Sequence, residues 1–337
     1  MKEKVLVSII CAAYNHEEFI EDALKGFLIQ KTNFSYEILV NDDASTDRTA
    51  LILKEYEEKY PNIIKVIYQK KNLFSQGKSP SALLFEKAKG KYLAFCEGDD
   101  YWIDENKLQK QIDFLEKNKD YIASYHNTLV VDRYKNRMKE SEWELYDEHD
   151  IVNVLELGTK GLCGQTATAV CRNFWRDWTK KEKEIFLSIK VNGDVKLSFY
   201  FAMIGKVHFF KEIMSCYRKT YDTDSWSSRN KGKNRCLESI NSIDELKKFE
   251  NFWGYNIYKK DKVPYLCGAI GFFFKNPNLN NLNIIFKIFM KTENKILTFI
   301  RVLFRGSDFL KRKLFRLEKK RTEYWKILSE EEIKNGK

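Results

Sequence analysis

The stretch VLVSIICAAYN, residues 5–15, decides how the chain is read. Val5 to Cys11 is apolar apart from Ser8 and rich in branched side chains, the composition of a strand buried on both faces. A segment from Glu17 to Gln30 follows, with Phe19, Ala23 and Phe27 at helical spacing. The pattern then repeats. Strands are expected at Tyr36 to Val40, Ile63 to Tyr68 and Tyr92 to Cys96, with helices at Asp47 to Tyr60 and Pro80 to Lys89. Strands alternating with helices of about ten to fifteen residues build βαβ units. The expected fold class is therefore α/β, a Rossmann-like, mostly parallel sheet flanked by helices.

Ligands of such sheets gather outside the carboxyl ends of the strands. Three polar clusters fall there: Ala13-Tyr14-Asn15 after the first strand, Asn41 to Asp47 after the second, and Glu97-Gly98-Asp99-Asp100 after the fourth. Further on, a helix is expected at Asn106 to Lys117, a strand at Tyr121 to Val131 and a polar excursion over 132–160. A short strand at Gln165 to Cys171, a helix at Asp194 to Ile204 and one or two strands within Lys206 to Arg218 follow. From Ser239 the pattern is helical. This organisation implies one α/β domain over residues 1–235, divided at 103, and a basic helical region over 236–337.

With 337 residues, 43% of them apolar, and only four prolines, the chain can bury a large core. The start of the chain reads as a first strand rather than an export signal, and no run of eighteen apolar residues predicts a membrane span. Seven cysteines without a CxxC pair read as reduced thiols, and the four histidines show no metal-ligand spacing. The net charge of +11 is concentrated: twelve Lys or Arg against three acids lie between Lys287 and Arg321. That distribution, with no recognisable nucleic-acid-binding signature, excludes a uniformly basic nucleic-acid binder.

Glu97, Asp99 and Asp100 would repel one another unless neutralised. An acidic turn is one explanation; a hard divalent cation shared with substrate phosphates is the other, and the more economical. Ser45, Thr46 and Asp47 suit a helix cap, which leaves Asp42 and Asp43 to meet a ligand rich in hydrogen-bond donors or to form a solvated turn.

Together V7-S-I-I-C-A-A-Y-N15, D42-D-A-S-T-D47 and E97-G-D-D-Y-W102 resemble the nucleotide-binding half of the family-2 glycosyltransferases of GT-A fold. The resemblance covers about residues 5–230, including G193-D-V-K-L-S-F-Y-F-A-M-I-G-K206, M214-S-C-Y-R218 and S225-W-S227 on the acceptor side. It implies an inverting glycosyltransferase that moves a sugar from a nucleotide-sugar, a UDP-sugar first, to a hydroxyl of a bacterial surface glycan, with Mn²⁺ or Mg²⁺. Carried over by position, it places Tyr14 against the base, Asp43 on the base's imide, Ala12 at backbone contacts and Lys78 near base or diphosphate. Asp99 would touch ribose or metal, Asp100 would be the direct metal ligand, and Asp194 the general base. Glu97 stands where the family more often has aspartate; it joins Trp102, Arg218 and Trp226 as candidates to meet donor sugar or acceptor. The alternatives are an inactive scaffold of the same fold at a membrane surface and a sugar-phosphate nucleotidyltransferase. The second expects a glycine-rich loop after the first strand, and none occurs; a dehydrogenase fails on the same ground.

The basic segment carries Ile284, Ile285, Phe286, Ile288, Phe289 and further large apolar residues to Leu317. It reads equally as an amphipathic surface for anionic lipid or as a helical hairpin packed on the protein, and a partner helix or second copy stays open. The expected location is cytoplasmic, at the inner face of the cell membrane if the basic helices bind it.

Overall fold

The computed structural model describes residues 4–138, 147–151, 157, 162–220, 235–254 and 263–292, with 294, 295, 298, 299 and 302. Strand β1 (Val7–Ala13) is buried along almost its whole length and pairs in parallel with β2 (Tyr36–Asp42) on one side and β4 (Tyr92–Phe95) on the other. On the far side of β2, β3 (Ile64–Tyr68) adds a further parallel strand. Helix α1 (Ile20–Leu28) follows β1 and buries Ile20, Ala23, Leu24 and Phe27, the apolar face its spacing dictates. Glu21 and Asp22 in its first turn suit the positive end of the helix. Helices α2 (Thr49–Lys59) and α3 (Ala82–Lys87) make the next two crossovers.

The second half continues the sheet with short reversed strands. Strand β5 (Tyr101–Trp102) comes first, then α4 (Lys107–Lys117), β6 (Tyr121–Val131), β7 (His149–Ile151), β8 (Val170–Arg172), α5 (Phe174–Asp177), α6 (Lys180–Ser188), α7 (Gly193–Ile204) and β9 (Lys206–Arg218). The order across the sheet is β3-β2-β1-β4-β8-β6-β9-β5, with β7 also on β9. Because β8 runs antiparallel to both β4 and β6, and β9 is parallel to β6, the six longer strands share one direction; β5, β7 and β8 oppose it. The sheet is thus mostly parallel and flanked by helices.

Two local expectations change. Residues 165–171 are not one strand: Thr166–Thr168 forms a 3₁₀ turn, with the Gln165 side chain accepting from the Ala167 N–H, and pairing starts only at Val170. The segment 206–218 is one strand whose register against β6 shifts near Asn127, which explains its ambiguous pattern. The main core gathers Val7, Ile9, Cys11, Leu24, Phe27, Ile38, Val40, Ala94 and Trp102 with Leu108 and Ile112 of α4. Gly26 is required there, since a Cβ on it would lie 2.7 Å from the Trp102 carbonyl oxygen of β5.

Two compact units divide the chain: Met1–Lys231 with Glu245–Tyr258, and Gly232–Asp244 with Lys259–Lys337. Helix α8 (Cys236–Phe252) contributes to each. In the first unit its Phe249 and the following Trp253 join Trp178, Phe186 and Tyr200 in an aromatic cluster. In the second unit α9 (Val263–Lys275) and α10 (Leu279–Met290) pack around Ile240, Leu266, Ala269 and Ile288. Among the described residues no helix is long and apolar enough to cross a membrane.

Lys107 opens α4 with no exposure at all; its Nζ donates to Gln111 Oε1 at 2.8 Å and lies 4.0 Å from the centroid of the Trp102 ring. Burial pushes its pKa down to about 7 from 10.5. The unfolded chain then binds more protons between those two values, so this group's contribution makes stability rise with pH across that window and is unfavourable below it. Lys107→Met should therefore gain several degrees of Tm over the parent at pH 6 relative to the same comparison at pH 10. A difference independent of pH, measured by thermal unfolding, contradicts this reading.

Candidate active site

The three polar clusters meet because β1 ends between the other two strands. The Ala13 carbonyl accepts from the Asp43 N–H at 2.9 Å, and the Ala12 carbonyl accepts from the Gly98 N–H at 2.9 Å. The loop after β1 is then clamped to the loop after β2: Asn15, at a φ of 53°, accepts from the Thr46 N–H through Oδ1 and donates its own N–H to Ser45 Oγ. The His16 N–H donates to Thr49 Oγ1 at 2.7 Å and the Glu17 N–H to Asp47 at 3.0 Å. Ser45 and Asp47 thus tie two loops together, beyond the local capping their residue types suggest. Tyr14 stands out from this frame, 40% exposed.

Asp43 is buried, and each of its carboxylate oxygens accepts a backbone N–H, from Leu73 at 2.7 Å and Phe74 at 3.0 Å. It therefore anchors the turn that runs through Gly77, at a φ of 71°, to the exposed Lys78, whose N–H closes on the Leu73 carbonyl. This differs from an Asp43 carboxylate aimed at a base. Its neighbour Asp42, paired with it in the sequence reading, accepts from the Ser45 hydroxyl, and burial pushes its carboxyl up.

In the acidic loop the three carboxyls separate by environment. Asp100 is 2% exposed; its Oδ2 accepts from Gln165 Nε2 at 2.6 Å and its Oδ1 from the Arg218 N–H at 2.8 Å. The Arg218 guanidinium, its side chain fully buried, donates to the Asp99 carbonyl at 2.7 Å and to Asp22 Oδ2 at 2.8 Å. It also lies 4.6 Å from the Phe19 ring centroid and 5.1 Å from that of Tyr101. Arg218 is thus a clamp inside the protein, not a side chain held out to a sugar. Asp100, which the sequence resemblance implies as the direct metal ligand, thus has one hydrogen bond from the protein on each carboxylate oxygen. Trp102 is likewise a core residue, 2% exposed, with its indole N–H donated to the Ala167 carbonyl at 2.8 Å, and offers no face to a sugar. Gln165 carried no recognisable signal in the sequence, because its role follows from a partner sixty-five positions away.

Asp99 and Glu97 keep partial exposure, and Asp99 Oδ2 lies 4.0 Å from His16 Nε2. Burial, then the Asp99 charge, and further off the Asp194 charge, push the Glu97 carboxyl up to about 8. Burial followed by Asp99 and Glu97 holds Asp100 well above the usual carboxylate range. Asp194 sits in the first turn of α7, with Oδ1 accepting its neighbour's Val195 N–H; the cap position itself belongs to Asn192. The beginning of α7 therefore adds a further carboxylate to the electrostatics of the acidic loop. Among the described residues no three His, Cys, Asp or Glu side chains form a metal cage. A cation held by one or two carboxylates together with substrate phosphates needs no such cage. Trp226 lies outside the described residues.

Gly98 lets the acidic loop lie on the β1 end. A Cβ there would approach His16 Nδ1 to 2.8 Å and Ile20 Cδ1 to 2.9 Å. Gly98→Ala should lose about 1–3 kcal/mol of stability, the range of an overpacked interior. An unchanged urea midpoint would count against this packing.

Residues 8–178 match the family model described as Glycosyl transferase family 2. An uncharacterized protein of Mycobacterium tuberculosis is 39% identical over 137 residues, which is 41% of this chain and 38% of that protein. The Escherichia coli protein WfaP, a UDP-Glc:alpha-D-GlcNAc-diphosphoundecaprenol beta-1,3-glucosyltransferase, is 36% identical over 125 residues, 37% of this chain and 47% of its own length. These matches thus span less than half of either relative. Among solved structures, TarS residues 1–349 of S. aureus with UDP-GlcNAc superposes with a TM-score of 0.58 at 17% identity, covering 84% of this chain and 79% of that one, a likeness of fold. With the family model spanning half of its length and its sheet built as in the GT-A structures, this chain belongs to glycosyl transferase family 2.

Proposed function

We propose that the chain is an inverting glycosyltransferase that moves a sugar from a nucleotide-sugar to a hydroxyl of a bacterial surface-glycan acceptor and uses Mn²⁺ or Mg²⁺. The observation that carries this reading is the division of labour in the acidic loop. Asp100 is tied inward, while Asp99 and Glu97 are left partly exposed on the loop that is bonded to the end of β1. The donor set fits a hard divalent cation, being carboxylate oxygens only, with burial first and the Asp99 charge second pushing Glu97 up to about 8. We assign Asp99 as the carboxylate that would hold the metal, with Glu97 beside it. Such an ion supplies charge stabilisation to a diphosphate leaving group.

The other roles follow from placement. Tyr14 is exposed at the end of β1 and can lie flat against a base. Asp43 acts on the base pocket through the Leu73–Lys78 turn, which brings the Lys78 cation to that side. Asp194, at the start of α7, takes the proton from the acceptor hydroxyl as it attacks the anomeric carbon; a positioned base of this kind contributes roughly 10²- to 10⁴-fold. A base and a leaving-group site on opposite sides of the anomeric carbon give a single displacement, hence inversion. The relative WfaP, by its name, uses UDP-Glc and a lipid-diphosphate-linked sugar, which supports UDP as the nucleotide and glycan assembly as the context.

Calorimetric titration of UDP with and without Mn²⁺ tests this. The parent should bind UDP more tightly with the metal, and Asp99→Asn should lose at least about tenfold of that gain with its Tm unchanged. Asp194→Asn should keep UDP binding and lose about 10²- to 10⁴-fold in sugar transfer. Metal-independent UDP binding, or an Asp194→Asn variant with full turnover, overturns the assignment.

A further inference from the structure

Helix α10 is apolar on two sides, and among the described residues only one of them is covered. Toward α9 it presents Ile288, which is fully buried, and the partly buried Ile284, Ile285 and Phe289. On the other side Leu279, Leu282, Phe286 and Met290 fall at i, i+3, i+7 and i+11, and they are 84, 49, 62 and 55% exposed. Asn278 starts the helix with its side chain accepting the Asn281 N–H, so the register of both faces is fixed from the first turn. Four large apolar side chains in one row make a patch that a lone soluble surface seldom carries.

The charge around this row is one-sided. Between Val263 and Val302 the sequence has Lys275, Lys287, Lys291, Lys295 and Arg301 against the single acid Glu293. Of these, Lys291 is paired with Asp244 at 2.7 Å and Lys295 donates to the last carbonyls of α10 and its following turn, whereas Lys275 and Lys287 are exposed at the ends of α9 and α10. An apolar row flanked by lysines is complementary to lipid headgroups that bear negative charge above an apolar interior. A second copy of the chain fits less well, because a twofold contact sets the same patch against itself and brings the like-charged flanks together. We infer that the outer face of α10 docks in the plane of an anionic lipid surface, with Leu279, Leu282, Phe286 and Met290 inserted among the acyl chains and Lys275 and Lys287 at the headgroups.

The test is co-sedimentation of the full chain with phosphatidylcholine vesicles that contain or lack phosphatidylglycerol. The parent should bind the anionic vesicles and release them in high salt. Leu282→Ser combined with Phe286→Ser, which alters exposed positions only, should bind at least about tenfold more weakly, with an unchanged circular dichroism spectrum. Lys275→Glu with Lys287→Glu should weaken binding to anionic vesicles and leave neutral vesicles unaffected, which keeps the test open if the serine variant misfolds. Equal binding by parent and variants, no binding by the parent, or a parent dimer that the serine variant dissolves without any vesicle binding, would each overturn the inference.

Discussion

The Asp100 carboxylate, held between the Gln165 side chain and the Arg218 backbone N–H, is the contact on which the rest of the site depends. It joins the acidic loop after β4 to the turn before β8 and to the end of β9, segments 65 and 118 positions away. A buried carboxylate without such partners would be strongly unfavourable, and one with them is fixed in place. The Arg218 guanidinium extends the same brace to the Asp99 carbonyl and to Asp22 on α1, and so orients the loop from both sides. What is gained is rigidity: Asp99 and Glu97 are partly exposed on a loop that has little freedom to turn away.

That arrangement also explains why negative charge can accumulate here. Glu97 and Asp100 are both pushed toward the protonated form by burial and then by the Asp99 charge between them, with Glu97 acting further on Asp100. A cation delivered with a diphosphate would relieve this repulsion, so the strain in charge is consistent with a site built for a bound state. The helices and loops of β1 and β2 have the complementary task. Their network of Asn15, Ser45, Thr46 and Asp47 holds the exposed Tyr14 and the Asp43-anchored turn in register with the acidic loop.

Much of this was legible in the sequence, for definite physical reasons. The strands β1, β2 and β4 are buried along almost their whole length, so their apolar runs had to show, and the polar clusters had to follow them because the strands end there. Less could be read where the determinant is tertiary. Strand β5 has two residues, too few for any period, and exists because Tyr101 and Trp102 meet Cys216 and Ser215 of β9. Trp102 looked like a sugar platform beside the acids, yet the close approach of α1 at Gly26 and the Lys107 ammonium enclose it. Adjacent aspartates are indistinguishable in a string; in the turn between β4 and β5, Asp100 is buried on Gln165 and the Arg218 N–H while Asp99 stays partly exposed. Gln165 carried no signal, and Arg218, a candidate for sugar or acceptor in the sequence, is seen as a clamp only with its partners Asp99 and Asp22 in place.

The central claim is that Asp99, not Asp100, faces the cation. Anomalous diffraction from crystals of the protein grown with Mn²⁺ and UDP measures this directly. The account predicts a manganese peak within ligand distance of the Asp99 carboxylate, about 2.0–2.3 Å, with Asp100 still bonded to Gln165 and to the Arg218 N–H. A peak on the Asp100 carboxylate, with those two hydrogen bonds broken, would contradict it.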